Sequence, residues 1–293
     1  MTVLETSFLY DASIWGMQDV SSGKKAKDEN FPVGSLVIKR KFRPHVKAYY
    51  NFARVIDDIA DSNVLSAEQK IKRLKGMEAV LCHDEPAPDR SDILTARYLR
   101  NTLIEMNIPF NTATDLLIAF RQDAVKNRYS SFEELATYCQ YSANPVGHFL
   151  LTLHQEEHQA IHASNALCTA LQILNHLQDC KNDLIELDRC YIPLDMLENK
   201  EIHVQALRKS TTSPLLRKVF DKLLDYVDVF NHEAEYLPKL IKDRRLKLES
   251  AIIVFLSQKL AKNLREQDPL SARVKLGKKD IASSILKAFA QFF

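Results

Sequence analysis

"YYNFARVIDDIADS", residues 49–62, places three aspartates, an arginine and two tyrosines inside a stretch whose apolar residues recur at helical spacing. At roughly 100° per residue, Tyr50, Arg54, Asp57 and Asp61 fall within about 60° of one another, while Phe52, Val55, Ile56 and Ile59 take the other side. One face is built to pack, and the other carries two carboxylates one turn apart. A solvated helix face explains such a pattern by itself. A second stretch, "LQILNHLQDCKNDL" at residues 171–184, weakens that explanation. There Gln172, Asn175, Asp179 and Asp183 lie within about 80° by the same count, with Leu167, Leu174, Leu177 and Leu184 turned away.

Both stretches share the form DxxxD, which puts two carboxylates within reach of a common ion. Hard divalent cations take oxygen ligands, and Mg2+ binds through a few carboxylates while sharing its other positions with water and phosphate oxygens. Crowded carboxylates repel unless a cation neutralises them. Two facing DxxxD helices would therefore make a diphosphate site, although either pair alone arises by chance in many helical proteins.

The rest of the chain is consistent with helices throughout. Only six glycines and ten prolines punctuate 293 residues, 46% of them hydrophobic, and no alternating β-branched runs recur. Ser66 with Gln69, and Ser131 with Glu134, fit capping boxes ahead of amphipathic runs. The connection "HDEPAPDRSD", residues 83–92, is too short for an interdomain linker. The pattern predicts an all-α fold: a single domain over residues 1–293, with helices bundled around a shared interior. A net charge of +2 gives no field for nucleic acid. Five scattered cysteines, Cys82, Cys139, Cys168, Cys180 and Cys190, read as reduced thiols. The N-terminal stretch lacks the pattern of a signal peptide, and no apolar run is long enough to span a bilayer.

The stretches "RPHVKAYYNFARVIDDIADS", "FRQDAVKNRY", "YCQYSANPVGHFLL" and "LQILNHLQDCKNDLIELDRCYIP" resemble the squalene and phytoene synthase family, the head-to-head prenyl-diphosphate synthases, in the right order over residues 28–195. Within it, "YSANPVG", "ALCTALQILNHLQD" and "IKDRRLKLESAI" are most similar to the bacterial hydroxysqualene synthases of hopanoid biosynthesis. The resemblance implies an isoprenoid-synthase bundle with a central cavity. It also implies a Mg2+-dependent lyase reaction, in which presqualene diphosphate and water give hydroxysqualene and diphosphate.

Carried over by position, the resemblance makes Asp57, Asp61, Asp179 and Asp183 the Mg2+ ligands. It gives Ser35, Tyr50 and Arg54 to the phosphates, and Gln172 and Asn175 to the substrate side of the second helix. Asp123, Arg128 and Tyr129 line the site, with Tyr129 a catalytic candidate, and Arg189 and Tyr191 shape its rim. Two departures stand out. Gln178 replaces the arginine usual before the second motif, and Asn144-Pro145 interrupts a small-residue helix segment that proline would kink. His148, His154, His158, His162 and His176 form no metal-binding spacing and read as structural. Trp15 and the terminal "ILKAFAQFF" read as packing, with membrane contact by that terminus the alternative.

The implied location is the cytoplasm, with peripheral contact at the inner membrane face left open because the substrate is so apolar. Two other functions compete: a synthase condensing two farnesyl diphosphates, and a catalytically silent partner subunit. The sequence leaves the oligomeric state open.

Overall fold

The computed structural model describes residues 12–15, 37–156 and 158–292. Regular structure among them is helical throughout, apart from an isolated β-bridge between Arg128 and Cys190, so the all-α expectation holds. Packing concentrates in two compact units, residues 1–126 and 127–293.

The first unit holds α1 (Ala12–Trp15), α2 (Arg43–Asp61), α3 (Ala67–His83), α4 (Ser91–Glu105) and α5 (Asn111–Asp123). Helix α2 buries Val46, Tyr49, Phe52, Ile56 and Ile59, a stripe at intervals of three and four that packs on α4 and α5. Each fully buried side chain of this kind contributes about 1.5–3 kcal/mol, and Tyr49 adds a hydrogen bond from its hydroxyl to the Thr112 carbonyl at 2.6 Å. The Ser66–Gln69 capping box closes both ways and starts α3. Trp15 is a packing residue, as its sequence context suggested. It is buried against Gly76, where a Cβ would sit 2.7 Å from the indole.

The second unit comprises α6 (Phe132–Ser142), α7 (Asn144–Leu153), α8 (Ile161–Glu186), α9 (Leu194–Glu198), α10 (Pro214–Ala234), α11 (Leu237–Leu240), α12 (Arg244–Glu266) and α13 (Lys278–Phe292). Its hub is the 26-residue α8, which packs on α6, α7, α10 and α12. Leu167, Ala170, Ile173, Leu174, Leu177 and Leu184 are its buried positions. Facing them, α10 supplies Leu216, Val219, Phe220, Leu223, Leu224 and Val227. The Ser131 hydroxyl caps α6 through the Glu134 N–H, but Glu134 turns its own carboxylate to Ser130 instead of closing the box.

The segment expected to kink at Pro145 breaks instead. Ala143 leaves helical geometry (φ −127°, ψ −46°) and Pro145 falls in the first turn of a new helix, α7. There its missing N–H costs nothing, because first-turn donors have no intrahelical partner. The C-terminal helix α13 packs on α12, burying the small Ser284 and Ala288 while Leu286 stays 70% exposed. The packing expected of this terminus therefore holds on one side only. No described helix is long and apolar enough to cross a membrane.

Close approach of α7 to α8 depends on Gly147. A Cβ at that position would meet Ser164 Oγ at 2.3 Å and Cys168 Sγ at 3.0 Å. Gly147→Val is expected to cost about 1–3 kcal/mol through overpacking, read as a lower urea midpoint. An unchanged midpoint would show that the two helices do not depend on that contact.

Candidate active site

Both DxxxD motifs sit near the C-terminal end of their helices, where unsatisfied carbonyls carry the negative end of the helix dipole. Neither helix places a basic residue in its last turn. Carboxylates there are doubly disfavoured, by one another and by the helix end.

On α2 the local answer is Arg54. Its Nη2 lies 2.9 Å from Asp57 Oδ2 and 2.8 Å from Asp58 Oδ1, and its Nε donates to the same Asp58 oxygen at 3.1 Å. Arg54 offsets the crowding only in part. Burial, and then the neighbouring Asp61, push Asp57 up to about 8, against the pull of Arg54, and Asp58 and Asp123 add to the rise. Asp123, buried at the end of α5, is thus brought into the electrostatic neighbourhood of the first motif.

On α8 the counter-charge comes from far along the chain. Arg273 grips Asp179 with two hydrogen bonds, Nε to Oδ1 at 2.5 Å and Nη2 to Oδ2 at 2.7 Å, a bidentate geometry that combines charge with direction. The same stretch is stapled to α8 twice more. Lys181 donates to the Leu270 carbonyl at 2.8 Å, and the buried Gln178 amide donates to the Val274 carbonyl. Gln178, standing where the family usually has arginine, is therefore committed to a backbone contact in the protein interior. Gln172, Asn175, Asp179 and Asp183 are all partly exposed, consistent with one solvated face.

Beside this face lies an aromatic cluster. Tyr129, fully buried, has its ring 5.3 Å from Tyr138 and 5.4 Å from Tyr191. Arg189 donates to the Tyr191 hydroxyl at 3.3 Å, and His176 stacks on the Tyr191 ring at 3.6 Å. Arg128 binds Asp188 through its Nη2 at 2.7 Å, tying the chain ahead of α6 to the turn after α8. Tyr50 is half-buried on α2, and Ser35 lies outside the described residues. The sequence reading gave no site role to Asp58, Tyr138 or Arg273, and took His176 as structural. Adjacency to Asp57 was a usable signal for Asp58. Nothing local marks Arg273, which is 94 positions from its partner.

Most of the other histidines have structural partners. His148 shares a 2.7 Å hydrogen bond with Asn165 and His162 lies 3.5 Å from Glu233. Both line a cavity of about 370 Å³ together with Asn144, Thr169 and Phe230. All five cysteines are free, and burial pushes Cys168 and Cys190 up to about 11, which keeps both as unreactive thiols. Among the described residues, no three His, Cys, Asp or Glu side chains converge as a ready-made metal cage. Mg2+ does not require one, since it binds through one or two carboxylates plus phosphate oxygens.

The sequence profile described as Squalene/phytoene synthase matches residues 24–280. A hydroxysqualene synthase from Rhodopseudomonas palustris is 40% identical over 259 residues, covering 88% of this chain and 87% of that protein. A second, from Zymomonas mobilis, is 37% identical over 86% of this chain and 84% of its own length. Among solved structures, squalene synthase HpnC from Alicyclobacillus acidocaldarius is similar with a TM-score of 0.70 and 27% identity, covering 83% of this chain and 90% of that one. With its helical architecture and both aspartate motifs in place, the chain belongs to the squalene/phytoene synthase family.

Proposed function

We propose that this protein converts presqualene diphosphate and water to hydroxysqualene and diphosphate. The observation that carries the reading is the crowding of carboxylates on α2, where burial and the neighbouring Asp61 push Asp57 up to about 8. Such a cluster gains most from a cation delivered with a diphosphate. The choice of water as the second reactant rests on the 40% and 37% identity to hydroxysqualene synthases over most of both chains.

The residues fit Mg2+. Hard oxygen donors are repeated on both helices, and the raised ionisation of Asp57 and the arginine on Asp179 mark places where a metal's charge would substitute. Asp57, Asp61, Asp179 and Asp183 would hold it, and when bound it supplies Lewis-acid stabilisation of the departing diphosphate. Arg273 gives up Asp179 to reach this state and becomes a positive charge available to phosphate oxygen. Arg54 keeps Asp58, the more deeply buried partner, and so maintains the α2 terminus while Asp57 turns to the ligand.

The direct test incubates purified protein and Mg2+ with presqualene diphosphate, and separately with farnesyl diphosphate, without nicotinamide. Hydroxysqualene formed from presqualene diphosphate, and lost by at least about 100-fold in Asp179→Ala, is the expected result. Turnover of farnesyl diphosphate would move the assignment to a condensing synthase, and no turnover of either would indicate a silent subunit.

A second prediction concerns stability without metal. Asp57 is raised in the folded state relative to its ordinary value of 3.8, so the folded protein holds an extra proton between about pH 4 and about pH 8. Its contribution to stability is complete below that window and is lost as pH rises through it. Asp57→Asn should therefore raise the thermal midpoint of the metal-free protein at pH 9, leave it little changed near pH 4, and abolish turnover. Parallel pH–stability curves for the two proteins would contradict the electrostatic picture.

A further inference from the structure

Water capture leaves one chemical requirement unassigned: a group to hold the incoming water and take its proton. His176 has the geometry for this. It lies on α8 one turn before Asp179, within about 60° of Asp179 and about 40° of Gln172 around the helix. Its side chain is 8% exposed, and Nε2 is buried without a hydrogen-bond partner. The ring stacks on Tyr191 with centroids 3.6 Å apart and planes at 16°, and lies 6.0 Å from the Tyr138 ring. The stacking on Tyr191 fixes the plane of the imidazole, in which both ring nitrogens lie.

A buried polar atom left unsatisfied costs about 1–3 kcal/mol, so an apolar ring would serve packing better here. Burial, reinforced by Arg189, pushes the imidazole down to about 3. The ring is therefore neutral at working pH, and with its one proton on Nδ1 it presents an acceptor at Nε2. This distinguishes His176 from His148 and His162, each of which has a polar side-chain partner.

We propose that His176 Nε2 holds the capturing water and accepts its proton; the inference rests on the water-capture reading above. The water oxygen donates an electron pair to the cationic carbon and forms the new C–O bond. One O–H bond then breaks. Its electron pair stays on oxygen as the product hydroxyl, and its proton passes to Nε2. A protonated alcohol is a far stronger acid than imidazolium, so even this weakly basic ring takes the proton. The buried imidazolium then returns it to the released diphosphate.

The test measures two outputs in the full chain with Mg2+ and presqualene diphosphate: diphosphate released, and the distribution of C30 products. His176→Phe keeps a stacking ring and removes the acceptor. Diphosphate release should stay within about threefold of wild type. Hydroxysqualene per diphosphate should fall by at least about tenfold, in line with loss of a general base, with elimination products taking its place. His176→Gln keeps a hydrogen-bond acceptor that cannot hold the proton, should shift products the same way to a smaller extent, and serves as the readout if the phenylalanine variant does not fold. A wild-type product ratio in whichever variant folds overturns the assignment while leaving the proposed reaction intact. Equal loss of diphosphate release and of hydroxysqualene also overturns it, because the residue would then act before capture. A wild-type protein that makes no hydroxysqualene overturns the reaction itself, and the inference with it.

Discussion

Like charges at a helix terminus are the constraint around which this protein is arranged. Asp57, Asp58 and Asp61 occupy the end of α2 with no basic residue in its last turn, so the helix dipole and the carboxylates oppose one another's ionisation together. Selection for stability alone would not retain such a cluster. The protein tolerates it through Arg54, which pairs with Asp57 and Asp58, through the raised ionisation of Asp57, and through the Val46–Ile59 stripe that buries the opposite face of the same helix.

The second motif meets the same difficulty by other means. Asp179 lies near the end of α8 and is balanced by a bidentate arginine from the stretch after α12. A proton and an arginine differ in how they are displaced. In the proposed reaction, releasing the proton would link cation binding to pH, whereas releasing Arg273 would free a positive charge for the incoming phosphate. Gln178 and Lys181 hold the backbone around Arg273 in place through Val274 and Leu270. Movement of the guanidinium therefore needs no unravelling of the segment that carries it.

What the sequence made legible follows from locality. Helix faces, the Ser66 capping box and the DxxxD pairs depend on residues within two turns of one another, and these were readable. Pro145 was legible as a disturbance, but its effect depended on Ala143 leaving helical geometry first, which turned an expected kink into a boundary. The pairing of Arg273 with Asp179 and the stacking of His176 on Tyr191 are tertiary, and no periodicity encodes them. His176 was read as structural because metal-ligand spacing was the pattern being weighed. An orphaned lone pair becomes visible only when its neighbours are known. Gln178 likewise read only as a replaced arginine, and the backbone carbonyl that its amide reaches is 96 positions away.

If Asp57 carries a proton where a metal cation would bind, as its raised ionisation implies, proton release on Mg2+ binding measures it directly. Calorimetric titration of the metal-free protein with Mg2+ and inorganic diphosphate, in buffers of different ionisation enthalpy, counts the protons released. After subtraction of the proton exchange measured with an Asp57→Asn variant, close to one proton should be released per protein at pH 7, and close to none at pH 9.5, where Asp57 is already ionised. Saturable binding with no proton difference between wild type and variant at either pH would show that Asp57 carries no such proton.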